Sequence, residues 1–407
     1  MDDTVTYDVI VWGASGFTGR LVAEYLFQTY GVNRELRWAM GGRSADKLNA
    51  VASELGLGAV PVVTADAKDR QSLDRLVRSA RVICTTVGPY QKYGSALVAA
   101  CAEAGTDYVD LSGEPAWMRL MIDQYGAAAA ASGARIVHSC GFDSIPFDLG
   151  VYYLQREARN RRGAVFAHVK GRVKAAKGKA SGGTVASMVT TIEAGGDDPS
   201  VRQVMVNPYG LAPDDQATRP RQPNDQKPYF DEDAQSWVAP FVMAVINSKT
   251  VHRSNMLMNY PYGEDFLYSE MMMAKSKGAA SKIALATGLF AGALSFGPLR
   301  ALLKKFILPS PGDGPTKAER EAGFYVLHFI GTDPNGEKMT AKVKGDCDPG
   351  YGSTSKMLGE AAICLALHTP KEEVKGGITT PAAAMGDALI DRLEERAGLS
   401  FSILETA

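Results

Sequence analysis

Residues 7 to 20, Tyr-Asp-Val-Ile-Val-Trp-Gly-Ala-Ser-Gly-Phe-Thr-Gly-Arg, restrict this chain more than any other stretch. Val9, Ile10, Val11 and Trp12 form a short apolar run rich in β-branched residues, the pattern of a strand buried on both faces. Gly13, Gly16 and Gly19 follow at intervals of three, and an amphipathic segment with Leu21, Val22, Tyr25 and Leu26 then begins. Strand, glycine turn and helix in that order form a cradle for the pyrophosphate of a dinucleotide. Gly13 permits the tight turn, Gly16 lets the backbone approach the phosphates, and Gly19 lets the helix lie close on the strand. The helix N-terminus supplies unpaired N–H groups, and Ser15 and Thr18 add hydroxyl donors. The spacing is G-x-x-G-x-x-G rather than the commoner G-x-G-x-x-G, so the flanking strand and helix carry the reading as much as the glycines do.

Leu36 to Met40 reads as a second strand ending in Gly41-Gly42-Arg43-Ser44, where a dinucleotide fold meets the adenosine ribose. An acidic residue there would favour NAD. Arg43 instead offers a planar fork to a 2′-phosphate, Ser44 adds a hydroxyl and a helix cap, and the cofactor expected is NADP(H). Val60 to Thr64 makes a third strand, with Asp66 at its carboxyl end, either against the adenine edge or as a plain helix-entry residue. Arg81 to Thr86 makes a fourth, and the loop Val87-Gly88-Pro89-Tyr90 then passes the nicotinamide end of the cofactor. A helix from about Tyr93 to Ala104 leads to strand five, Tyr108 to Leu111, which ends in Ser112-Gly113-Glu114. Strand six, Arg135 to His138, runs into Ser139-Cys140-Gly141-Phe142-Asp143-Ser144-Ile145-Pro146, with Pro146 early in a helix and Ser144 as its cap. Strands alternating with helices over residues 1–150 give an α/β fold of Rossmann type, a doubly wound parallel sheet.

A second, α+β domain over 151–375 is expected to carry substrate or dimer contacts. Val165 to Val173 alternates weakly, with Lys170, Arg172 and Lys174 to one side, and a helix opens near Thr184. Proline, aspartate and glycine dominate 195–235, which reads as an irregular excursion or lid. Gly323 to Gly331 reads as a strand with Phe324, Val326, His328 and Ile330 on one face; Asp333-Pro334-Asn335-Gly336 turns it back into Lys338 to Lys344. A helix near 353–367, a helix from Pro381 to Arg396 and a short strand near 400–404 close the chain, with 376–407 packing back on the core. One segment, 278–308, stands apart: Ile283 to Leu299 holds no charged residue, and Arg300, Lys304 and Lys305 follow it. It is short and glycine-interrupted for a membrane span, and reads either as an interfacial helix or greasy flap, or as a core or dimer helix.

The formal net charge of −1 sets nucleic acid aside as a main partner. Five scattered cysteines, none in a C-x-x-C pair, make neither a disulfide framework nor a zinc site, and no metal is expected. The expected setting is a reducing, cytoplasmic one, with peripheral membrane contact through 278–308 open, no signal peptide, and a self-associating chain.

Gly13-Ala-Ser-Gly-Phe-Thr-Gly-Arg20, Ala39-Met-Gly-Gly-Arg-Ser44, Thr86-Val-Gly-Pro-Tyr90, Tyr108-Val-Asp-Leu-Ser-Gly-Glu114 and Cys140-Gly-Phe-Asp-Ser-Ile-Pro146 together resemble the saccharopine dehydrogenase-like oxidoreductases. Tyr351-Gly-Ser-Thr354 and Gly376-Gly377-Ile-Thr-Thr-Pro381 extend the likeness to the trans-acting enoyl reductases of polyketide-lipid assembly. That resemblance implies a Rossmann domain binding NADP(H), with an α+β domain closing over it; the contacts expected from the turn and the strand ends are Gly13, Ser15, Gly16, Phe17, Thr18, Gly19, Arg43, Ser44, Asp66, Val87, Gly88 and Pro89. It also implies reduction of an unsaturated, lipid-like acyl chain, free or carrier-bound.

Enoyl reduction needs a donor for the developing enolate oxygen and a proton for the neighbouring carbon. Candidates on the strand-end loops are Tyr90, Tyr93, Ser112 and Asp143, with Glu114 and Ser144 beside them. A competing reading is an amino-acid or imine dehydrogenase, which would use cations such as Lys170 and Arg172 against a substrate carboxylate. A third is a nucleotide-binding lipid-surface protein without catalysis.

Overall fold

Val9 and Val11 point to one side of their strand and Ile10 and Trp12 to the other, and each pair enters a different apolar core. A strand buried on both faces needs helices above and below it, which parallel βα units supply. The computed structural model describes residues 5–32, 34–178, 182–212, 219–306 and 314–405. Its first half runs β1 (Tyr7–Trp12), α1 (Phe17–Tyr30), β2 (Trp38–Gly42), α2 (Ala45–Glu54), β3 (Val62–Thr64) and α3 (Arg70–Arg78). It continues through β4 (Ala80–Thr85), α4 (Tyr90–Tyr93), α5 (Ser95–Ala104), β5 (Asp107–Val109), α6 (Pro115–Ser132), β6 (Arg135–Val137) and α7 (Ile145–Arg162).

The second half holds β7 (His168–Lys177), α8 (Gly182–Asp197), α9 (Pro199–Val206), β8 (Tyr229–Asp231), β9 (Ser236–Pro240), α10 (Ala244–Leu257) and β10 (Leu267–Ala274). After α11 (Lys277–Ser295), α12 (Gly297–Phe306) and α13 (Lys317–Glu321) come the hairpin strands β11 (Phe324–Thr332) and β12 (Lys338–Gly345). The chain closes with α14 (Thr354–Ile363), β13 (Gly377–Thr379), α15 (Pro381–Arg396) and β14 (Leu399–Leu404).

The first sheet has seven strands, ordered β13-β6-β5-β4-β1-β2-β3, and every pairing in it is parallel. Sequence periodicity indicated six of these. The seventh, β13, follows Gly376-Gly377 and is too short to show a pattern. The chain turns outward from β1 in both directions, so a crevice opens above the carboxyl ends of β1 and β4. The second sheet, ordered β14-β12-β11-β7-β10-β9-β8, is antiparallel except where β7 meets β10. One apolar core runs between the sheets, from Val9, Val82 and Val109 through Leu149 and Met357 to Leu327 and Phe329.

Several expectations change. The 195–235 stretch is not wholly irregular: it contains α9, capped by Asp198, and β8. On β11 Phe324, Val326, His328 and Ile330 do share one face; it is the less buried one up to His328, opposite Tyr325, Leu327 and Phe329, while Ile330 is buried. Ser144 stands at the N-cap of α7, but its side chain makes no cap bond; its hydroxyl is directed toward Asp143 O, at 2.7 Å, with Asn247 Oδ1 at 3.2 Å. Arg172 is fully buried and paired with Asp231 at 2.7 Å, and Lys170 pairs with Asp231 and Asp233, so these cations hold β7 to β8. The α11 helix is not a core helix, since only 11% of its apolar window is buried; parts of the 278–308 segment beyond Phe306 lie outside the described residues.

Candidate active site

The glycine turn is set by its neighbours. Gly13 N–H donates to Gly41 O at 2.9 Å, and Thr86 N–H donates to Trp12 O at 3.0 Å. Gly13 has φ +89°, which favours glycine, and a Cβ there would lie 2.5 Å from Val87 Cγ2. A Cβ on Gly19 would lie 2.2 Å from Gly13 O, so helix and turn touch backbone to backbone. Gly16 differs. Its φ of −81° suits any residue, and a Cβ would meet only Gly13 O, at 3.4 Å. Glycine at 16 is therefore not demanded by the protein's own packing; it leaves a hollow over the N-terminus of α1. No side chain caps that terminus, and its first turn has no acidic residue. The donor set and the hollow together fit a pyrophosphate.

Arg43 is exposed just past β2, with no hydrogen bond or ion pair to another described residue. Ser44 caps α2 by accepting from Lys47 N–H. Asp66, past β3, is exposed and accepts from Lys68 N–H at 2.9 Å, leaving its second carboxylate oxygen for a ligand. Ser15 is exposed on the turn. Arg43, Ser44 and Asp66 thus lie together at the carboxyl ends of β2 and β3, to one side of the switch point.

On the other side of the switch point lies a cavity of about 550 Å³. Gly16, Phe17 and Thr18 form its floor beside Gly88 and Pro89, while α8, α10 and the segment near Tyr351 enclose it. Its wall is largely apolar, with Leu111, Phe142, Met188, Ile192, Met243 and Ile246. Among the described residues that line it there is no lysine, arginine or histidine, and Asp143 is the one carboxylate.

Buried carboxylates fix the loops around this space. Asp110 accepts from Ser112 N–H at 2.9 Å, Ser139 N–H at 3.0 Å and Tyr108 OH at 2.9 Å, and meets His138 Nδ1 at 2.7 Å. Glu114 accepts from Tyr90 N–H at 2.9 Å, Gln91 N–H at 2.8 Å and Ser187 Oγ at 2.6 Å. Burial pushes the Glu114 carboxyl above its ordinary range, against the pull of those donors.

The four residues proposed for chemistry separate accordingly. Asp143 lines the cavity. Tyr90 forms part of the wall, but its hydroxyl accepts from Leu111 N–H at 3.0 Å and donates to Thr85 O at 3.3 Å; it braces two loops. Burial also drives its phenol well above its ordinary pKa. Tyr93 is 57% exposed and lies outside the cavity lining, because α4 turns it to solvent. Ser112 is fully buried and accepts from Glu114 N–H at 3.2 Å, a turn role. Two lining residues were not among the site candidates, although Tyr351 stands in one of the motifs that carry the family likeness. Ser187 reaches the cavity only because α8 crosses over the first sheet, and Tyr351 does so through its hydroxyl's bond from Gly182 N–H at 2.9 Å. Phe17 packs edge-on to Tyr351 with ring centres 4.8 Å apart. No local pattern announces either contact.

A parallel sheet with an uncapped glycine turn at its switch point, roofed by a second sheet domain, defines a two-domain nucleotide-dependent oxidoreductase. Residues 9–137 match the family model for the saccharopine dehydrogenase NADP binding domain. A trans-acting enoyl reductase of Mycobacterium ulcerans is 39% identical over 96% of both chains, and one of Mycobacterium tuberculosis is 38% identical over 95% of both. Among solved structures, apo saccharopine dehydrogenase (L-Glu forming) from Saccharomyces cerevisiae aligns over 98% of this chain and 100% of its own. Its TM-score is 0.57 at 14% identity, a likeness of fold. The chain belongs to the saccharopine dehydrogenase-like oxidoreductases, and within them to the trans-acting enoyl reductase family. It is an enzyme, and its cofactor is NADP(H).

Proposed function

We propose that the protein reduces the carbon–carbon double bond of an enoyl, lipid-like acyl substrate, preferring NADPH to NADH. The observation that carries this reading is the cavity wall, apolar and free of cations among the described residues. An amino-acid or keto-acid substrate brings a carboxylate, which needs an arginine or lysine to replace its water. Arg172 and Lys170, the cations suited to that task by sequence, are consumed by Asp231 and Asp233. An acyl chain asks only for apolar area and shape.

In this reading the turn 13–19 and the start of α1 hold the pyrophosphate, and Arg43 with Ser44 holds the 2′-phosphate. Asp66 faces the adenine, and Val87, Gly88 and Pro89 pass beside the nicotinamide. Bound there, NADPH supplies the hydride. The chain's own part is to align the acyl group, exclude water and hold a proton; Asp143 is the cavity's carboxyl group for that role. The reading is tested by NADPH oxidation with enoyl substrates of increasing chain length, each offered as free acid, coenzyme A thioester and carrier-bound thioester. Turnover of enoyl chains is expected. Turnover of keto acid plus amine mixtures, with none of enoyl chains, would overturn it.

A further inference from the structure

Leu285, Leu289 and Phe296, each over 60% exposed, follow one another at i, i+4 and i+11, with Gly292 at i+7. Leu285 and Leu289, one turn apart, share a face of α11, and Phe296 follows in the extended link between α11 and α12. Leu299 and Leu302 of α12 continue the exposed apolar surface. The opposite side is satisfied: Leu294, Phe290 and Leu303 pack on Met188, Val189 and Ile192 of α8. The hairpin of α11 and α12 is thus anchored inward and leaves large side chains in water outward.

The charge around this face has one sign. Between Glu270 and Asp313 there is no acidic residue, while Lys275, Lys277, Lys282, Arg300, Lys304 and Lys305 are basic, in a chain of net charge −1. Arg300 pairs with Glu193 at 3.1 Å, whereas Lys275, Lys277 and Lys282 are exposed at the start of the hairpin. Beside them sit Trp237, with Lys277 Nζ 5.7 Å from its ring, and Phe230, 40% exposed and edge-on to Trp237. Lysines and an aromatic pair flanking an apolar face are the arrangement that sits at a bilayer's headgroup level.

We infer that the α11–α12 hairpin binds the surface of an anionic membrane, its leucine and phenylalanine face entering the acyl boundary and its lysines meeting lipid phosphates. Charge complementarity selects this occupant. A second copy docked face to face would set like charges against one another. From Ile283 to Leu299 the segment's side chains include only the hydroxyls of Thr287 and Ser295 as polar groups, so a protein partner finds few directional contacts there, and fluid acyl chains need none. Ala291 also lines the cavity, so attachment would hold that space beside the bilayer. This last consequence alone rests on the acyl substrate proposed above; vesicle binding is read without turnover.

The test is flotation of the full chain with phosphatidylcholine vesicles, with and without phosphatidylglycerol, at low and high salt. Binding that requires phosphatidylglycerol and weakens with salt is expected. Leu289→Glu and Phe296→Glu should each lower partitioning about tenfold or more while NADPH affinity stays unchanged, showing an intact fold. Lys282→Gln should lower it about fivefold. Leu120→Glu, at an exposed apolar position on α6, should leave it unchanged. Absence of flotation with phosphatidylglycerol at low salt, or flotation indifferent to the α11 substitutions, would overturn the inference. So would unbound vesicles combined with a concentration-dependent dimer in sedimentation, or with capture of an acidic acyl-carrier domain, that Leu289→Glu abolishes.

Discussion

Ser187 Oγ donates to Glu114 Oε1 at 2.6 Å, tying α8 of the second domain to the loop after β5. The same carboxylate accepts the backbone N–H groups of Tyr90 and Gln91. One buried side chain therefore ties the roof of the cavity to the start of α4, just past the Gly88-Pro89 loop. Glu114→Gln would turn an amide donor toward a backbone N–H and should cost about 1–3 kcal/mol of stability, read by urea unfolding. Ser187→Ala removes one neutral partner and should cost about 1 kcal/mol, with NADPH affinity retained.

Gly16 and Gly19 should fail in opposite ways. Gly16→Val fits the fold but fills the hollow above α1, so NADPH binding should weaken more than about tenfold with cooperative unfolding preserved. Gly19→Ala drives its methyl into Gly13 O and should cost about 1–3 kcal/mol of stability. Unchanged NADPH affinity in the first variant would contradict the pyrophosphate assignment.

Arg43→Ala should weaken NADPH about 10- to 100-fold and leave NADH nearly unaffected, the worth of charge-assisted bonds to a 2′-phosphate. Equal losses for both nucleotides, by fluorescence titration, would remove that role.

Tyr90→Phe should lower stability by about 1–3 kcal/mol, because Leu111 N–H loses its buried acceptor, yet change kcat only a few-fold. A collapse of kcat in a stably folded variant would restore a chemical role to the hydroxyl.

Asp148 is buried, accepting from Ser254 Oγ at 2.6 Å and Ala382 N–H at 2.8 Å. Burial raises its carboxyl from 3.8 to about 7. Between those values the folded chain holds a proton that the unfolded chain has released, so its contribution to stability falls as pH rises. Asp148→Asn can keep both contacts and carries no charge. The variant should therefore gain on the parent across that window, by up to about 4 kcal/mol at neutral pH. Parallel unfolding free energies for the two proteins from acid to neutral pH would refute the assignment.

Much of the first domain was legible because its signals are local. The strand of Val9 to Trp12, the glycine intervals, and Arg43 just past β2 follow from residues that are neighbours in the chain. Parallel βα units then force the switch point and the side on which a nucleotide lies. Even there, the three-residue β13 escaped, since its place is set by pairing with β6 across the chain. The candidate site was less legible. Tyr90, Tyr93 and Ser112 carry suitable groups on suitable loops, yet whether a hydroxyl faces a substrate, a backbone carbonyl or water depends on contacts remote in sequence. Ser187 and Tyr351 enter the cavity for the same reason. Arg172 looked available until the fold brought Asp231 to it.

The sequence by itself determined the cofactor fold and the uncharged run from Ile283 to Leu299 with its basic end, because backbone geometry and apolar periodicity act between near neighbours. Only the tertiary structure decided which polar groups remain for chemistry, that the cavity wall lacks a cation among the described residues, and that the hairpin faces water. Burial and pairing are properties of the packed chain, and residues far apart in sequence compete for the same partners.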